Sequence, residues 1–439
     1  MAKMNVSCKK MDADILTHEG GQGKRITSEQ ELRRSVMSCL LWEGSFYEDG
    51  QSVADRIKEN IAKVDGMIVS KIAIEAREQM KLRHVPLMIV REMSRLESHK
   101  KYVAETLSKV IQRPDEITEF LALYWKDGRQ PLSAQVKKGL AKAFTKFNEY
   151  SLAKYNGDNT VKLRDALFLC HAKPNSKEQE NLWKKLINNE LEIPDTWETN
   201  LSAGKDKKET WERLLSENKL GALALLRNLR NMFQANVNED LIRQAIIHMS
   251  VERVLPYRFI SAAKFAPRFE SDLETGMFKC IENMEKLPGK TVLLVDVSGS
   301  MDMRKVSERS DMTPMEAACG LAILARELCE NVEIYTFSNT AVYVRGRRGF
   351  ALRDEIVNSQ PHKNTNLKAS LEDINSKEHY DRMIVITDEQ SQDGITAPKG
   401  KGYLINVATY KNGIGYREWT HIDGWSEATL QYIIENEKI

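Results

Sequence analysis

The sequence predicts a multidomain α and α/β protein, in which an α-helical module precedes a doubly wound α/β domain. Residues 27–284 repeat apolar side chains at helical spacing and carry almost no strand signal. The segment KLPGK at residues 286–290 ends that pattern. Beyond it, β-branched apolar runs alternate with helical stretches, which is typical of a mostly parallel sheet. We therefore predict a flexible lead-in at residues 1–26, a helical module at 27–288 and an α/β domain at 289–439.

Composition narrows the class of protein. The chain has 439 residues, 41% hydrophobic and 29% charged, which excludes global disorder and allows more than one core. We see no secretory signal and no apolar run of the roughly 20 residues that span a bilayer, so we expect a cytoplasmic monomer without membrane contact. Six cysteines without a C-x-x-C pair predict reduced core residues, rather than a zinc site or disulfides. They are Cys8, Cys39, Cys170, Cys280, Cys319 and Cys329.

Charge is distributed unevenly along the chain. The formal net charge is +2, yet residues 289–439 hold 18 Lys and Arg against 22 Asp and Glu, leaving 47 against 41 in residues 1–288. The helical module is therefore basic and the α/β domain acidic. An excess of this size does not by itself imply nucleic acid, because the placement of the charges matters more.

The helical module begins after a polar lead-in. Its GGQGKRIT segment fails the Walker spacing, since His18 and Arg25 stand where Gly and Ser or Thr are needed. Helices are predicted at residues 27–42, 53–64, 66–79, 86–95 and 101–110, with a capping box at Thr27 and Gln30. Short connections between them fit stacked helical hairpins of the HEAT type.

Two segments of the module carry candidate contacts to an anion. Residues 133–155 predict one helix with an apolar stripe and a row of lysines at spacing four, Lys138, Lys142 and Lys146. That row is either a solvated face or a track for a phosphate backbone. Residues 161–174 place Arg164, His171 and Lys173 around an apolar helix. A histidine at a helix end is more often a capping residue than a ligand, and Arg227, Arg230, Arg253, Arg258 and Lys264 fit either phosphate contacts or interhelical ion pairs.

The α/β domain follows in regular order. Strands are predicted at residues 291–297, 332–337, 341–345, 383–387 and 403–408. A helix should begin at Thr313-Pro-Met-Glu316, which supplies a capping box and a first-turn proline, and should end near residue 330. Further helices are predicted at residues 367–375 and after Ser426.

Oxygen-bearing side chains follow two of these buried strands. Ligands collect at the carboxyl ends of parallel strands, so we expect five residues to meet there. Two carboxylates with hydroxyls suit Mg²⁺ or Mn²⁺ better than Zn²⁺. The alternative is that the serines merely cap a loop and the second aspartate caps a helix. Catalysis is disfavoured because G-x-S-x-G is absent and D-x-S-x-S replaces D-x-D. The candidate ligands are Asp296, Ser298, Ser300, Thr365 and Asp388.

These motifs resemble known families. DVSGS, Thr365 and the TD of VITD resemble the metal-ion-dependent adhesion site of von Willebrand factor A domains. LSAQVKKGLAKAF, LRDALFLCHAKP and ALLRNLRNM resemble the TROVE module of the Ro autoantigen family. The likeness covers nearly the whole chain. This sequence differs from the family in having Lys363 and Asn364 where paired glycines usually precede the metal-site threonine, and EQSQDG after Asp388.

The resemblance implies a ring of HEAT-like hairpins closed by a Rossmann-like A domain. It further implies a non-catalytic scaffold that binds small non-coding Y RNA on a basic outer surface, takes single-stranded ends of structured or misfolded RNA in a central hole, and can tether an exoribonuclease. His171 matches the histidine of the family's RNA-binding surface, and Lys137 and Lys138 fall in the basic helix before it. The expected RNA contacts are Lys137, Lys138, Lys142, Lys146, Arg164, His171 and Lys173.

Two other functions compete with RNA binding. One is a protein-interaction module whose cation holds an acidic partner while the helices form a passive solenoid. The other is a nuclease, although no catalytic residues are identified for it.

Overall fold

The computed structural model divides into two compact units. It describes residues 27–38, 50–157, 160–252, 254, 256–282, 284–303, 305–306, 312–408, 418–424 and 428–437. Of the described residues, 28–38 and those between 50 and 282 form the helical unit, and residue 27 and those from 284 onward form the α/β unit. The predicted fold class, helices followed by an α/β sheet, is confirmed. Some predictions concern residues outside the described ranges, namely the flexible lead-in at residues 1–26, the helix end at residue 42, Cys8, Cys39, Arg253 and Ser426.

Amphipathic helices make up the helical unit, and their apolar faces form its core. Helices 66–79 and 101–110 of the prediction agree with the structure within about one residue. The α-helices are α1 (Ser28–Ser38), α2 (Gly50–Ile61), α3 (Gly66–Glu78), α4 (His84–Met93), α5 (Lys100–Val110), α6 (Asp115–Tyr124), α7 (Ala134–Phe144), α8 (Glu149–Tyr155), α9 (Leu163–Leu169), α10 (Lys177–Asn188), α11 (Trp197–Ser202), α12 (Lys207–Ser216), α13 (Ala222–Gln234), α14 (Glu239–His248), α15 (Tyr257–Phe265) and α16 (Glu270–Ile281).

The single helix predicted at residues 133–155 is wrong, because the structure has two helices there. Helix α7 ends at Phe144, and α8 begins after Asn148. The Asn148 side chain accepts a hydrogen bond from the backbone N–H of Ser151 at 2.9 Å, so it caps α8. A short polar side chain that satisfies an orphan N–H favours a new helix start over a continuous helix.

Helix α7 packs closely against α5. A Cβ built on Gly139 would lie 2.9 Å from the backbone oxygen of Ala104 and 2.9 Å from Cβ of Leu107. Only glycine permits this separation without movement of the α5 backbone. The buried residues Val136, Leu140 and Phe144 complete the same face, so α7 is fixed by its apolar side.

The α/β unit is a six-stranded sheet with helices between its strands. Strand order is β3-β2-β1-β4-β5-β6, and β2 pairs antiparallel with β3 while the other pairs are parallel. The strands are β1 (Leu287–Asp296), β2 (Cys329–Phe337), β3 (Ala341–Val344), β4 (Arg382–Thr387), β5 (Lys401–Asn406) and β6 (Trp419–Asp423). The helices are α17 (Gly299–Asp302), α18 (Pro314–Leu328), α19 (Gly349–Val357), α20 (Leu367–Lys377) and α21 (Ala428–Glu437).

Every predicted strand of this unit is present, and α18 opens with the predicted capping box. Thr313 Oγ1 accepts from the N–H of Glu316, and the Glu316 carboxylate accepts from the N–H of Thr313 at 2.9 Å. The prediction did not include β6 or α19. Strand β1 lies between β2 and β4, with Val295 beside Ile386, so the ends of β1 and β4 are neighbours as expected.

The described cysteines are free thiols. Cys170, Cys319 and Cys329 are buried, which confirms the predicted core position for these three, whereas Cys280 is only partly buried. Burial raises the pKa of the Cys170 thiol to about 11. Within the described ranges, none of the helices combines the length and the apolar character needed to cross a bilayer.

The packing of α5 on α7 predicts the effect of one methyl group. Gly139→Ala should lower the free energy of unfolding by about 1 to 3 kcal/mol, because the new Cβ forces the two helices apart. Urea denaturation followed by tryptophan fluorescence measures the change. Gly157→Ala is the matched control, since a Cβ there meets nothing within 4 Å. An equal loss of stability in both variants would contradict the close-packing explanation.

Candidate functional site

Helix α7 presents cations on the side opposite its buried face. Lys138 and Lys142 are exposed and stand one turn apart, while Lys137 is partly buried in the first turn. The helix starts at Ser133, whose Oγ accepts from the N–H of Val136 at 3.3 Å. The buried stripe fixes the rotation of the helix, so the two exposed ammonium groups face solvent together.

Lys146 does not extend this row, contrary to the prediction. It follows the end of α7, and its ammonium group donates hydrogen bonds to the backbone carbonyl oxygens of Ser108 and Ile111 at the end of α5. Burial lowers the pKa of the Lys146 ammonium. A lysine that caps the last carbonyls of a helix is a structural group, because its charge complements the helix dipole.

His171 and Lys137 meet where α9 ends beside α7. Nε2 of His171 lies 3.4 Å from Nζ of Lys137. His171 adopts a left-handed backbone conformation, with a φ of 53°, at the position that ends α9. The N–H of His171 bonds to the carbonyl of Phe168 at 3.1 Å, and the N–H of Ala172 bonds to that of Leu167 at 3.3 Å. This pair of hydrogen bonds is a Schellman motif, which holds the exposed imidazole at a defined place.

The other two predicted contacts flank this point. Lys173 is exposed two residues after His171. Arg164 is exposed in the first turn of α9, and its Nε lies 3.6 Å from Oδ1 of Asp165. Because α9 has seven residues, Arg164 is roughly 10 Å from the end of the helix that carries His171. Arg164 instead lines a separate hollow with Lys162.

Sequence reasoning missed a cleft beside His171. The cleft has a volume of about 490 Å³, and we name it the Trp125 cleft. Trp125 directly follows α6, and its indole N–H donates to the carbonyl of Gln130 at 2.7 Å. Phe168 of α9 is 59% exposed although it is a large apolar side chain. The cleft is lined by Trp125, Arg129, Gln130, Pro131, Leu132, Lys137, Phe168, Leu169 and His171.

The candidate metal centre lies at the ends of β1 and β4. Asp296 is fully buried, its Oδ1 accepts from the N–H of Ser298 at 2.8 Å, and its Oδ2 accepts from Oγ1 of Thr387 at 2.6 Å. Burial and the neighbouring carboxylate of Asp388 raise the pKa of Asp296 above its ordinary value. Asp388 is also buried, and the Oγ atoms of Ser298 and Ser300 are 3.2 Å apart.

The loop that carries Thr365 is fixed from two sides. Oγ of Ser338, just after β2, accepts from the N–H of Lys363 at 2.8 Å and donates to the carbonyl of Asn364 at 3.0 Å. On the other side, Oγ of Ser391 donates to the carbonyl of Thr365 at 3.1 Å. Neither Lys363 nor Asn364 lies in the left-handed region, so this loop does not need the paired glycines of the family.

The segment after Asp388 contains a buried contact between a carboxylate and an imidazole that the sequence did not reveal. Glu389 is fully buried with a φ of 61°, and its carboxylate contacts the imidazole of His421 on β6. Asn406 of β5 donates to the same carboxylate at 3.4 Å. These contacts connect the end of β4 to β5 and β6, which fixes the backbone next to Asp388.

The donor set fits a hard divalent cation. Across the described residues, no group of three or more His, Cys, Asp and Glu side chains is placed to hold a metal ion. The candidate centre instead combines two carboxylates with the hydroxyl groups of serine and threonine. Two adjacent buried carboxylates repel each other unless a proton or a cation lies between them. This chemistry suits Mg²⁺ or Mn²⁺, which prefer oxygen ligands.

Sequence similarity identifies the family of the chain. A family model described as TROVE domain matches residues 26–190 and 188–316, which is more than half of the chain. The chain belongs to the TROVE family. Membership of this family suggests RNA binding and agrees with a scaffold rather than an enzyme. The TROVE match includes α7, α9 and the DVSGS segment.

Two kinds of known protein are similar to this TROVE chain. The crystal structure of the Deinococcus radiodurans Ro (Rsr) protein matches with a TM-score of 0.63 at 18% identity, covering 94% of this chain and 100% of that one. This likeness shows the shared fold. Telomerase protein component 1 of Rattus norvegicus and that of Mus musculus are each 34% identical over 91 residues, which is 19% of this chain and 4% of either relative. The TROVE chain thus spans a small fraction of these two relatives.

Substitution at Asp296 tests the metal centre. Mg²⁺ should stabilise the TROVE protein by about 2.7 kcal/mol at roughly one hundredfold above its Kd, and Asp296→Asn should abolish this gain. Thermal unfolding with Mg²⁺ or EDTA measures both. Asp354→Asn, at an exposed position of α19, is the control and should keep the gain.

Without a bound metal ion, the stability of the folded protein should depend on pH, and Asp296→Asn should remove that dependence. The pKa of Asp296 is raised in the folded state, so the folded protein holds a proton that the unfolded chain has lost. In EDTA, stability should therefore fall as pH rises from about 4 toward the raised pKa. Asp296→Asn should lack this loss and be the more stable protein at about pH 8. A wild-type protein that is indifferent to both pH and Mg²⁺ would contradict the paired-carboxylate interpretation.

Proposed function

We propose that the chain is a non-catalytic RNA-binding scaffold of the Ro type. It binds a small structured non-coding RNA of the Y RNA kind on the surface formed by Lys137, Lys138, Lys142, His171 and Lys173. It also takes single-stranded ends of structured or misfolded RNA, and it can tether an exoribonuclease for RNA quality control or processing. The observation that carries the proposal is the contact of Lys137 with His171 at the junction of α7 and α9.

That junction supports binding of a phosphate backbone. Nζ of Lys137 can donate one hydrogen bond to Nε2 of His171, 3.4 Å away, and its remaining N–H groups can donate to a phosphate. Lys138 and Lys142 continue along α7 at a spacing of one turn, roughly 6 Å, which is close to the distance between successive phosphates of a strand. Each phosphate neutralised in this way releases counterions, which supplies affinity in water.

The α/β unit supports a second, separate proposal. Asp296, Ser298, Ser300, Thr365 and Asp388 would hold a Mg²⁺ or Mn²⁺ ion, which supplies Lewis acidity when bound. Octahedral coordination leaves at least one position for water or for a carboxylate from outside. The fixed loop at Thr365 supports a docking role, in which the bound cation holds an acidic protein partner. This role is compatible with RNA binding by the helical unit.

Charge reversal on α7 tests the RNA surface. Lys138→Glu with Lys142→Glu should weaken binding of a labelled hairpin RNA at least roughly tenfold, because two phosphate contacts become repulsive. The slope of log affinity against log salt should fall by about 1.4 to 1.8. Fluorescence anisotropy over a salt series measures both quantities.

A control variant with two lysines replaced on another helix separates the effect of where the charges lie from the effect of net charge. Lys207 and Lys208 are exposed on α12, so Lys207→Glu with Lys208→Glu changes the net charge equally. This control should lose little affinity. An equal loss of RNA affinity in both double variants, or an RNA affinity that does not change with salt concentration, would contradict the proposal.

The scaffold proposal also predicts that the two units act separately. Asp296→Ala should abolish Mg²⁺ binding while leaving affinity for the hairpin RNA nearly unchanged. Hairpin RNA incubated with the wild-type protein and Mg²⁺ should remain intact on a denaturing gel. Loss of RNA affinity in Asp296→Ala would contradict separate surfaces, and shortened RNA would reveal a nuclease.

A further inference from the structure

The Trp125 cleft combines the exposed ring of Phe168 and the partly buried ring of Trp125 with cations next to the proposed RNA surface. We propose that it binds an unpaired RNA base by stacking, an inference that rests on the proposed RNA-binding function and assigns a nucleotide site within it. The occupant is a base of an RNA chain whose phosphates continue toward Lys137 and Lys138.

The two rings carry the stacking. The Trp125 ring is held by the 2.7 Å hydrogen bond from its indole N–H to Gln130, so its plane is fixed before a ligand arrives. Phe168 leaves 59% of its surface in solvent, on a short helix whose neighbouring residue Leu167 is buried. Aromatic side chains on which bases stack are the usual means of binding single-stranded RNA, because every base has a π face.

The charges around the rings select an anionic ligand. The guanidinium of Arg129 lies 5.3 Å from the ring centroid of Trp125, and Lys137 and His171 also line the cleft. None of the nine described residues that line the cleft is acidic. Asp127 lies in the same loop, but Arg91 and Arg95 pair with its carboxylate. A flat ring attached to phosphate matches this combination.

Size and accessibility favour an unpaired base. The volume of about 490 Å³ lies in the range of about 300 to 1,000 Å³ that is typical of small-ligand sites. A base inside a duplex is stacked on both faces and cannot enter such a cleft. A single-stranded tail or a loop nucleotide can insert one base while its phosphates remain outside with the lysines.

The test uses the full-length protein and three RNA probes of similar charge. One is a hairpin with a single-stranded tail carrying 2-aminopurine, the second has an abasic residue at that position, and the third is a blunt hairpin. Phe168→Ala should weaken binding of the tailed RNA roughly tenfold and leave the blunt hairpin unchanged. The abasic probe should bind the wild-type protein as weakly, with no further loss in the variant. Quenching of 2-aminopurine should disappear in Phe168→Ala.

Three further variants separate stacking from other effects. Phe168→Leu keeps an apolar side chain without a π face and should behave like Phe168→Ala, whereas Phe168→Tyr should retain binding. Phe233→Ala is the matched control, because Phe233 is likewise a phenylalanine on a helix with an exposed side chain, 49% of which is in solvent, and Arg268 lies 5.0 Å from its ring centroid. It should not change any affinity. Phe168 is exposed, so these variants are expected to fold, which circular dichroism checks.

The outcomes distinguish the inference from the function on which it rests. If the wild-type protein binds none of the probes, the RNA-binding function itself is wrong. If binding depends on Lys138 and Lys142 but Phe168→Ala and the abasic probe have no effect, only the base site is wrong. Equal losses on tailed and blunt hairpins would overturn stacking of an unpaired base. Adenosine monophosphate that competes at the concentrations of the tailed RNA would show a free-nucleotide site and overturn the assignment to RNA.

Discussion

The close contact of α7 with α5 at Gly139 determines where the candidate RNA surface lies. Without a side chain at that position, the α7 backbone rests directly against Ala104 and Leu107, and the rotation of the helix follows. Its first turn then reaches the end of α9, where Lys137 meets His171. The lysine beyond the helix, Lys146, closes the end of α5 with its ammonium group and strengthens the same pair of helices. The pair of helices α5 and α7 therefore provides both the close packing and the lysines of the candidate surface.

The sequence predicted features that depend on neighbouring residues better than contacts between residues that are far apart in the chain. Apolar spacing identified the buried face of α7 and the positions of five strands along the chain, because these patterns repeat over a few residues. It did not predict the role of Lys146, because the carbonyl groups it contacts lie 38 and 35 residues earlier in the chain. The end of α7 was missed because one asparagine side chain, that of Asn148, decides it.

The α/β unit shows the same division. DVSGS and VITD were identified because each motif is contiguous and follows a buried strand. The hydrogen bond from Thr387 to Asp296 and the contact of Glu389 with His421 depend on strand register and on a strand, β6, that carries a weak pattern. The sequence did not predict that Phe168 and Trp125 line one cleft, because an isolated aromatic residue on a helix is more often part of the core. Exposure is a property of the assembled fold.

The left-handed backbone of His171 affects both the stability of the protein and the preorganisation of the candidate RNA surface. Glycine would occupy that place with less strain, so a histidine there lowers stability by on the order of 1 kcal/mol. In return, the Schellman turn fixes the backbone that carries the imidazole before RNA arrives, so little backbone entropy remains to be lost on binding. The end of α9 is therefore a place where stability has been exchanged for preorganisation, which is a feature of binding surfaces rather than of cores.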